Sequence, residues 1–442
     1  MRKSFNYKES FLHGKDSLTT KSSTESQTIH WTPELFGPVL KTQRISFSKS
    51  YYAYKKDRRA KIISTFVPDE LIYIRDLSKK KLHEFVAVIL LIEISNFHDI
   101  WDKFTPTENG ASYGFNFLLN KYLGPIIENI YIFDGDVIKL EADGILGVWK
   151  LQAYQSMSEI VEKVIQCGLK SQECRKNISI SMNFQVKCKF FFFFFYTYRK
   201  WVLIGQPIIE VELAAKICNS GELILTKSTW QYVPPTKYEH VLVDSHNIKI
   251  IKEIVQPKIE KISNELNESR PSLIDATTLK LGDKLNKFLI PLIRDEIYNN
   301  RALELLTHKR RVSILSINII PIKSSTETLV DLCDKYFHYL YKLTVKYLGI
   351  INTVTVYPKR IFFSVYFGLQ SDSRLCNKNA LICGEKFRRI LDNTEDIIKL
   401  SIGISTGMVF CGVIGHEIRQ TFVCSGLACE KSEKIVAVAS KL

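Results

Sequence analysis

The sequence predicts an α+β protein made of two similar units, and three observations support this fold class. A long apolar run that predicts a buried strand, Phe85–Ser95, has a counterpart at Val312–Ile320. Each run is followed by an amphipathic helical pattern, and each helical pattern is followed by further short strands. The two series start about 225 residues apart, which indicates an internal duplication. Two such units favour a pseudo-twofold pair with a shared site between them, and two independent domains are the alternative.

The first unit continues with a helix, a hairpin and further strands. Apolar residues three and four positions apart predict a helix over about 115–130. Asp134-Gly135 stands between the apolar runs Ile130–Phe133 and Val137–Leu140, and this dipeptide favours a hairpin. The remaining predicted elements are a strand at 145–149, a helix at about 155–169, a strand at 178–184 and a strand at 222–226.

The second unit repeats this order after a Lys/Glu-rich helical connector. A helix is predicted over 329–348, followed by a hairpin that joins Ile350–Val356 to Ile361–Phe367. A second hairpin is predicted to join 400–405 to 409–414 around Thr406-Gly407. The resulting division is a disordered, basic, Ser/Thr-rich leader at 1–60, a first unit at 61–255, the connector at 256–308 and a second unit at 309–442.

The composition is typical of a globular protein and argues against two other classes. Hydrophobic residues make up 45% and charged residues 24% of the 442 positions. The longest apolar run, Phe85–Ile92, is far shorter than the roughly 20 residues that a transmembrane helix needs. The N-terminus has no apolar segment behind its basic residues, which argues against a secretory signal. We therefore expect a cytoplasmic protein with no transmembrane segment.

The net charge of +15 is concentrated at the N-terminus. Residues 1–60 contain 12 Lys/Arg and 5 Asp/Glu, so +7 lies there and +8 is spread over the other 382 residues. A leader of this composition is typical of a disordered segment that is attracted to anionic surfaces. No nucleic-acid-binding signature accompanies it, so no specific nucleic-acid partner is expected.

The ten cysteines predict reduced, mostly buried thiols. They are too dilute for a disulfide scaffold, and none forms a CxxC pair. Neither of the closely spaced pairs Cys376/Cys383 and Cys424/Cys429 is accompanied by histidines at zinc-ligand spacing.

Two carboxylates stand where strands of the first unit end. Glu93 lies in LLIEIS, and Asp143 lies in the turn of LEADGIL. Phosphoryl chemistry on a nucleotide needs carboxylates that hold Mg²⁺. A buried acid requires a cation or a hydrogen-bond partner, so Glu93 alone fits an ion pair or a cap equally well. Taken together, the two residues predict a metal site.

Four segments follow one another along the chain: LLIEISNF, FDGDVIKLEADGILGVW, LIGQPIIEVELA and LSIGISTGMVFCGVIGH. In their order and spacing they resemble the soluble, bicarbonate-responsive adenylyl cyclases, a branch of the class III nucleotidyl cyclase family. The resemblance covers about residues 62–255 and 309–420. It implies tandem ferredoxin-like cyclase domains in a pseudo-twofold arrangement, of which the second is incomplete here. It also implies conversion of ATP to 3′,5′-cyclic AMP and pyrophosphate with two Mg²⁺ (or Mn²⁺) ions.

The resemblance assigns four site positions of the family to residues of this chain. The two metal-binding acids fall at Asp143 and at Glu93, which is one methylene longer than the aspartate of the family. Mg²⁺ tolerates little distortion of its octahedral shell, so the longer side chain matters. The adenine-reading lysine falls at Thr353, and the adenine-reading threonine falls at Val423.

Two further positions predict weak catalysis. The ribose-binding asparagine of the family falls at Glu430, and its transition-state arginine falls at Lys434. Lysine keeps the positive charge but lacks the planar fork that grips two phosphate oxygens. An acid at Glu430 would stand beside a polyphosphate. Because one such transition-state donor is worth about 3 kcal/mol, losing several predicts little turnover.

The family's second, degenerate cleft binds bicarbonate between a lysine and an arginine. The lysine matches Lys139, whereas the arginine falls at Glu212. An acid there repels an anion, which argues against bicarbonate activation. The alternative for Lys139 is a simple ion pair with Asp143 or Glu141.

Two departures from the family predict a damaged fold. Successive strand side chains point to opposite faces, so the run Phe190–Phe195 does not fit a strand with one solvated face. We interpret this run as translated intron sequence, because the resemblance resumes abruptly at Val202. The second domain also stops before its last family strands, and an unpaired sheet edge favours self-association.

These observations predict an adenylyl-cyclase-like protein of intracellular signalling whose catalysis is weak or lost. One alternative is a non-catalytic pseudo-cyclase that binds a nucleotide or a partner protein. Another is a basic protein whose leader binds anionic surfaces. The expected partners are ATP and either a second copy of this chain or an intact cyclase chain.

Overall fold

The computed structural model describes residues 58–74, 82–94, 111–174, 178–194, 199–254, 270, 279–370 and 373–440. The predicted leader lies almost wholly outside these ranges. A helical turn at 58–65 precedes the first labelled helix. No helix in the described part of the chain combines the length and the apolar character that crossing a membrane requires.

The first half of the chain is a mixed α+β unit. Its elements are α1 (Asp69–Tyr73), β1 (Leu82–Ile94), α2 (Ala111–Ile132), β2 (Asp136–Leu140), β3 (Gly144–Lys150), α3 (Met157–Cys174), β4 (Ile178–Phe194), β5 (Arg199–Ile204), α4 (Gln206–Ala215), β6 (Leu223–Thr226), α5 (Lys227–Trp230), β7 (Tyr238–Leu242) and β8 (Asn247–Glu253). Within the described residues, its sheet has the strand order β2-β3-β1-β4-β6-β8-β7, and β5 pairs with β4. All pairs are antiparallel except β4 with β6.

The second half forms another mixed unit after two short connector helices. Its elements are α6 (Leu279–Leu285), α7 (Pro291–Tyr298), β9 (His308–Pro321), α8 (Thr326–Lys346), β10 (Gly349–Tyr357), β11 (Arg360–Phe367), α9 (Cys376–Asp392), β12 (Ile397–His416), β13 (Arg419–Ser425) and α10 (Leu427–Ala439). Its described sheet has the order β10-β11-β9-β12-β13 and is antiparallel throughout. The predicted α+β class is confirmed.

The two halves share one order of elements and one pattern of pairing. The series β1-α2-β2-β3-α3-β4-β5-α4 has the same sequence of strands and helices as β9-α8-β10-β11-α9-β12-β13-α10. In each half the first strand pairs with the third and fourth strands, and the fourth pairs with the fifth. Strands β6 to β8 have no counterpart in the described part of the second sheet. The exact domain boundaries 61–255 and 309–442 stay predictions.

Two predicted hairpins are wrong. Ile130–Phe133 is not a strand, because α2 runs to Ile132 and Asp134-Gly135 joins that helix to β2. Residues 400–405 and 409–414 are not two strands, because β12 passes through Thr406-Gly407 without a turn and pairs with β9 along nearly its whole length. The hairpin that exists joins the end of β12 to β13.

The phenylalanine run lies in strand β4 as far as Phe194, and the argument that such a run does not fit a strand with one solvated face stays a prediction. Residues Phe190 and Phe191 pair with β1, and Phe190–Phe194 pairs with β5. Backbone pairing along both edges holds this segment whichever side chains it carries. Phe195 lies outside the described residues.

The halves pack against each other through α2 and the end of β12. The rings of Phe115 and Phe410 meet edge to face, with centroids 5.0 Å apart. The amide N–H of Gly415 donates to Oδ1 of Asn120 at 2.9 Å. Phe410, on the second sheet, therefore belongs to the hydrophobic core that surrounds α2 of the first half.

Arg270 of the connector ties the N-terminal helical segment to the second half. Its side chain is fully buried and pairs with Oδ1 of Asp69 at 2.7 Å. Its guanidinium also donates to the carbonyl oxygens of Val67 at 2.7 Å and of Ile418 at 2.5 Å. The same group lies 5.1 Å from the ring centroid of Tyr131. One side chain thus fastens α1, α2 and the β12–β13 turn together.

Candidate functional site

A large cleft runs between the two halves. Its volume is about 1140 Å³, which is ample for a nucleoside triphosphate, and both halves line it. The first half contributes β2, the β2–β3 turn, the end of β1, β5 and α4. The second half contributes β10, β13 and α10. Six predicted site residues are among those lining it: Glu93, Lys139, Asp143, Thr353, Val423 and Glu430.

Glu93 and Asp143 are neighbours on the cleft wall. Glu93 stands opposite Gly144 in the antiparallel β1–β3 pair, so the residue before Gly144 lies next to the end of β1. The N–H of Ile94 donates to the carbonyl oxygen of Asp143 at 2.7 Å, which closes this junction. Both acidic residues are solvent-exposed, so the cleft walls desolvate the Glu93 carboxyl only in part. The structure therefore brings the two predicted metal-binding acids together.

The electrostatics of this corner favour a bound cation. Partial desolvation by the cleft walls raises the pKa of the Glu93 carboxyl, and the nearby charges of Asp143, Glu141 and Glu212 raise it further. Within the described residues, no group of three or more His, Cys, Asp or Glu is arranged to hold a metal ion. Mg²⁺ commonly binds through one or two carboxylates together with substrate phosphates, and the Glu93–Asp143 pair fits that donor set.

Thr353 and Val423 reach the cleft from the second half but offer little polarity. The hydroxyl oxygen of Thr353 accepts a hydrogen bond from Nδ2 of Asn352 at 3.2 Å. A β-bulge at this point displaces Asn352 from the β10–β11 register. Val423 is buried in β13 and has no polar side-chain atom to offer a base. The side of the cleft where the resemblance expects base recognition is therefore uncharged at these two positions.

Glu430 and Lys434 lie one turn apart on α10 and pair with each other. Nζ of Lys434 lies 3.1 Å from Oε2 of Glu430. The Lys434 side chain is 73% exposed and is absent from the cleft lining, whereas Glu430 is part of it. The structure thus brings an acid to the cleft but not the cation that the resemblance places near the transition state.

Lys139 pairs with Glu141, which decides between the two predicted ion-pair partners. Its Nζ lies 2.7 Å from Oε1 of Glu141. Desolvation lowers the pKa of the Lys139 ammonium, but attraction from Glu141 and more weakly from Glu212 outweighs it and leaves the pKa raised. Burial likewise raises the pKa of Glu212, which Lys139 and Arg360 partly offset. Glu141 and Glu212 offset the positive charge of Lys139. This charge balance disfavours the binding of a free anion such as bicarbonate.

Glu433 is a cleft residue that the sequence reasoning missed. It stands seven residues after Gly426, and Glu212 stands seven residues after Gly205. Each of these glycines is the N-cap of a helix that follows the fifth strand of its half. Burial raises the pKa of Glu433, as does repulsion from Glu141. The equal spacing after the two glycines was the available signal.

Lys200 is a second missed residue. It lies on β5 and lines the cleft, and its Nζ donates to the carbonyl oxygen of the bulged Asn352 at 2.8 Å across the two halves. Desolvation lowers the pKa of its ammonium to about 8. Its place depends on contact between strands 152 positions apart, so no local pattern could have found it.

Comparison with known proteins identifies distant relatives. No protein-family model matches the chain. It is 24% identical over 398 residues to adenylate cyclase type 10 of Homo sapiens, which covers 82% of this chain and 24% of that protein. The rabbit (Oryctolagus cuniculus) protein of the same name is 23% identical over 403 residues, with 84% and 25% covered. The chain is thus distantly homologous to this adenylate cyclase and spans about a quarter of the length of the curated relatives it matches.

Two solved structures are also similar, at low identity. A class III adenylyl cyclase-like ATP-binding protein from Pseudomonas aeruginosa is 14% identical with a TM-score of 0.49, covering 86% of this chain and 89% of that one. The guanylyl cyclase Cya2 is 14% identical with a TM-score of 0.33, covering 41% of this chain and 97% of that one.

Proposed function

We propose that this chain is an adenylyl-cyclase-like protein whose cleft binds ATP together with a divalent cation, and that it forms cyclic AMP weakly or not at all. The observation that carries the proposal is the adjacency of Glu93 and Asp143 on a wall of the cleft between the two halves. The distant homology to adenylate cyclase type 10 supports the choice of ATP.

Binding follows from what the two carboxylates and the cleft offer. Glu93 and Asp143 would hold Mg²⁺ or Mn²⁺, which when bound neutralises the triphosphate and activates the ribose hydroxyl. Partial desolvation and repulsion from Asp143 raise the pKa of Glu93, and a bound cation would offset both effects. The volume of about 1140 Å³ leaves room for the base and the ribose.

Weak turnover follows from the second half of the cleft. Lys434 points to solvent and is engaged by Glu430, so no cation reaches the transferred phosphorus from this position. Thr353 and Val423 supply at most one neutral hydroxyl for the base. Each missing transition-state donor costs about 3 kcal/mol, so two missing donors reduce the rate by roughly 10⁴-fold.

A melting experiment tests the binding step. ATP with Mn²⁺ should raise the melting temperature of the full chain, because a ligand that binds only the folded state stabilises it. The variants E93Q and D143N should lose this shift. The exposed variant E173Q, whose parent residue pairs with Lys170 away from the cleft, should keep it. Absence of any shift at millimolar ATP and Mn²⁺ would refute the proposal.

A cyclic AMP assay tests the turnover step, and Lys434 provides the second control. K434A should not lower the measured rate of cyclic AMP formation, because the Lys434 side chain lies outside the cleft. Turnover within tenfold of an intact cyclase would contradict the predicted loss of catalysis. ATP binding without formation of cyclic AMP would support the alternative hypothesis of a non-catalytic pseudo-cyclase. Self-association, or pairing with an intact cyclase chain, stays a prediction that sedimentation velocity can measure.

A further inference from the structure

Two cysteines face each other across the β12–β13 hairpin. Cys411 and Cys424 are direct register partners in this antiparallel pair. Their sulfur atoms lie 3.5 Å apart, and both residues are buried. Their spacing in sequence gave no hint of this contact, because the strand register rather than a motif brings them together.

The geometry suits a covalent link. Cα atoms of directly opposed residues in antiparallel strands lie about 4.5–5.5 Å apart, which falls within the span of about 4.4–6.8 Å that disulfides bridge. The sulfur atoms need to approach by only about 1.5 Å to reach the bond length of about 2.05 Å. We propose that Cys411 and Cys424 form a redox site, in which a peroxide converts the dithiol into a disulfide that cross-links β12 to β13.

The reaction balances with hydrogen peroxide as the two-electron oxidant. The sulfur of one cysteine attacks the peroxide, the O–O bond breaks, and a sulfenic acid and one water form. The sulfur of the other cysteine then attacks the sulfenic sulfur, the S–S bond forms, and the second water leaves. The two thiol protons end in the waters, and the two sulfur atoms together lose two electrons.

The accessibility and the reactivity of the two thiols bear on which one reacts with the peroxide and how fast. Cys424 lines the cleft whereas Cys411 is fully buried behind it, so of these two cysteines Cys424 is the one that a peroxide in the cleft approaches. Burial raises the pKa of the Cys424 thiol well above its usual range, and the hydrogen bond with Cys411 adds to this effect. The thiolate is therefore scarce at neutral pH, and oxidation is slower than at an exposed cysteine.

The link would act on the cleft directly. Cys424 follows Val423 and is itself part of the cleft wall, and Sγ of Cys429 lies 3.6 Å from the carbonyl oxygen of Cys424. Cross-linking β12 to β13 therefore changes the wall that carries Val423. The proposal stands whether or not the cleft binds ATP.

Peptide mapping of the full chain tests it. After treatment with hydrogen peroxide and blocking of the remaining thiols, a non-reducing digest should contain one linked peptide pair that holds Cys411 and Cys424. This pair should weigh about 2 Da less than the two thiol peptides and should separate on treatment with dithiothreitol. C411A and C424A should each abolish it, whereas C383A, at a buried cysteine of α9, should not.

The wild-type map decides the matter even if a core variant fails to fold. A link between Cys424 and Cys429, or oxidation of other cysteines while Cys411 and Cys424 remain free thiols, would overturn the proposal.

Discussion

Replacing Arg270 by methionine should strongly destabilise the fold. The guanidinium is fully buried, and the substitution removes its 2.7 Å pair with Asp69 and its hydrogen bonds to the carbonyls of Val67 and Ile418. Breaking a buried ion pair from one side costs about 3–5 kcal/mol, because the remaining charge and carbonyls lose their partner. Asp69 is 21% exposed, so water can partly rehydrate its carboxylate. We therefore expect a loss near the lower bound, about 3 kcal/mol.

Urea unfolding followed by tryptophan fluorescence measures this loss. The matched control is R389M on α9, where the arginine is 72% exposed and pairs with Glu385 at 2.8 Å. Exposed pairs of this kind contribute about 0–1 kcal/mol, so the control should stay close to the parent. If R270M lost no more free energy of unfolding than R389M, the tying role of Arg270 would be wrong.

Three further substitutions have definite expected outcomes. G415A should lose about 1–3 kcal/mol in urea unfolding, because Gly415 has φ +121° and a Cβ there would lie 2.3 Å from a carbonyl oxygen, whereas G124A in α2 meets only ordinary contact and serves as the control. The pKa of Lys200 is about 8 in the folded state against 10.5 when unfolded, so the unfolding free energy should rise with pH between these values. K200M should remove that rise. If the unfolding free energy of K200M depended on pH as that of the parent does, the lowered pKa of Lys200 would be contradicted. The double variant E212Q/E433Q should bind metal-free ATP more tightly than the parent in a calorimetric titration, and an unchanged affinity would contradict the repulsion argument.

The long strands and amphipathic helices were predictable, but the turn residues were not. Asp134 has φ +63°, as a type I′ hairpin turn also requires, but Gly135 lacks the positive φ that such a turn needs, so Asp-Gly ends α2 here instead of closing a hairpin. A helix C-terminus and a hairpin turn both favour Asp and Gly, so the local sequence does not distinguish between them. Gly407 serves close packing instead of a turn, because a Cβ on it would lie 3.0 Å from Cβ of Ala428 on α10. A glycine inside a strand can mark the close approach of another segment, but the sequence alone does not show which helix covers that strand.

Part of the candidate site was predictable for a physical reason. Glu93 ends β1 and Asp143 precedes β3, so the antiparallel pairing of these two strands within one unit places the two acids side by side. The orientation of Lys434 depends on how α10 is rotated about its axis, which the packing of Val436 and Ala428 on the sheet decides. Lys200 and the Cys411–Cys424 pair depend on register between strands, which the local pattern does not contain.

The repeated order of elements places two glutamates on opposite sides of the cleft. Gly205 and Gly426 occupy equivalent places in the two halves, so the residue seven positions later faces the same cleft from opposite sides. In this chain both of those residues are glutamates, Glu212 and Glu433, and burial raises the pKa of each. A free triphosphate meets two like charges there besides the Glu93 corner. We therefore expect this part of the cleft to bind a polyphosphate more readily as a complex with a divalent cation than as a bare anion.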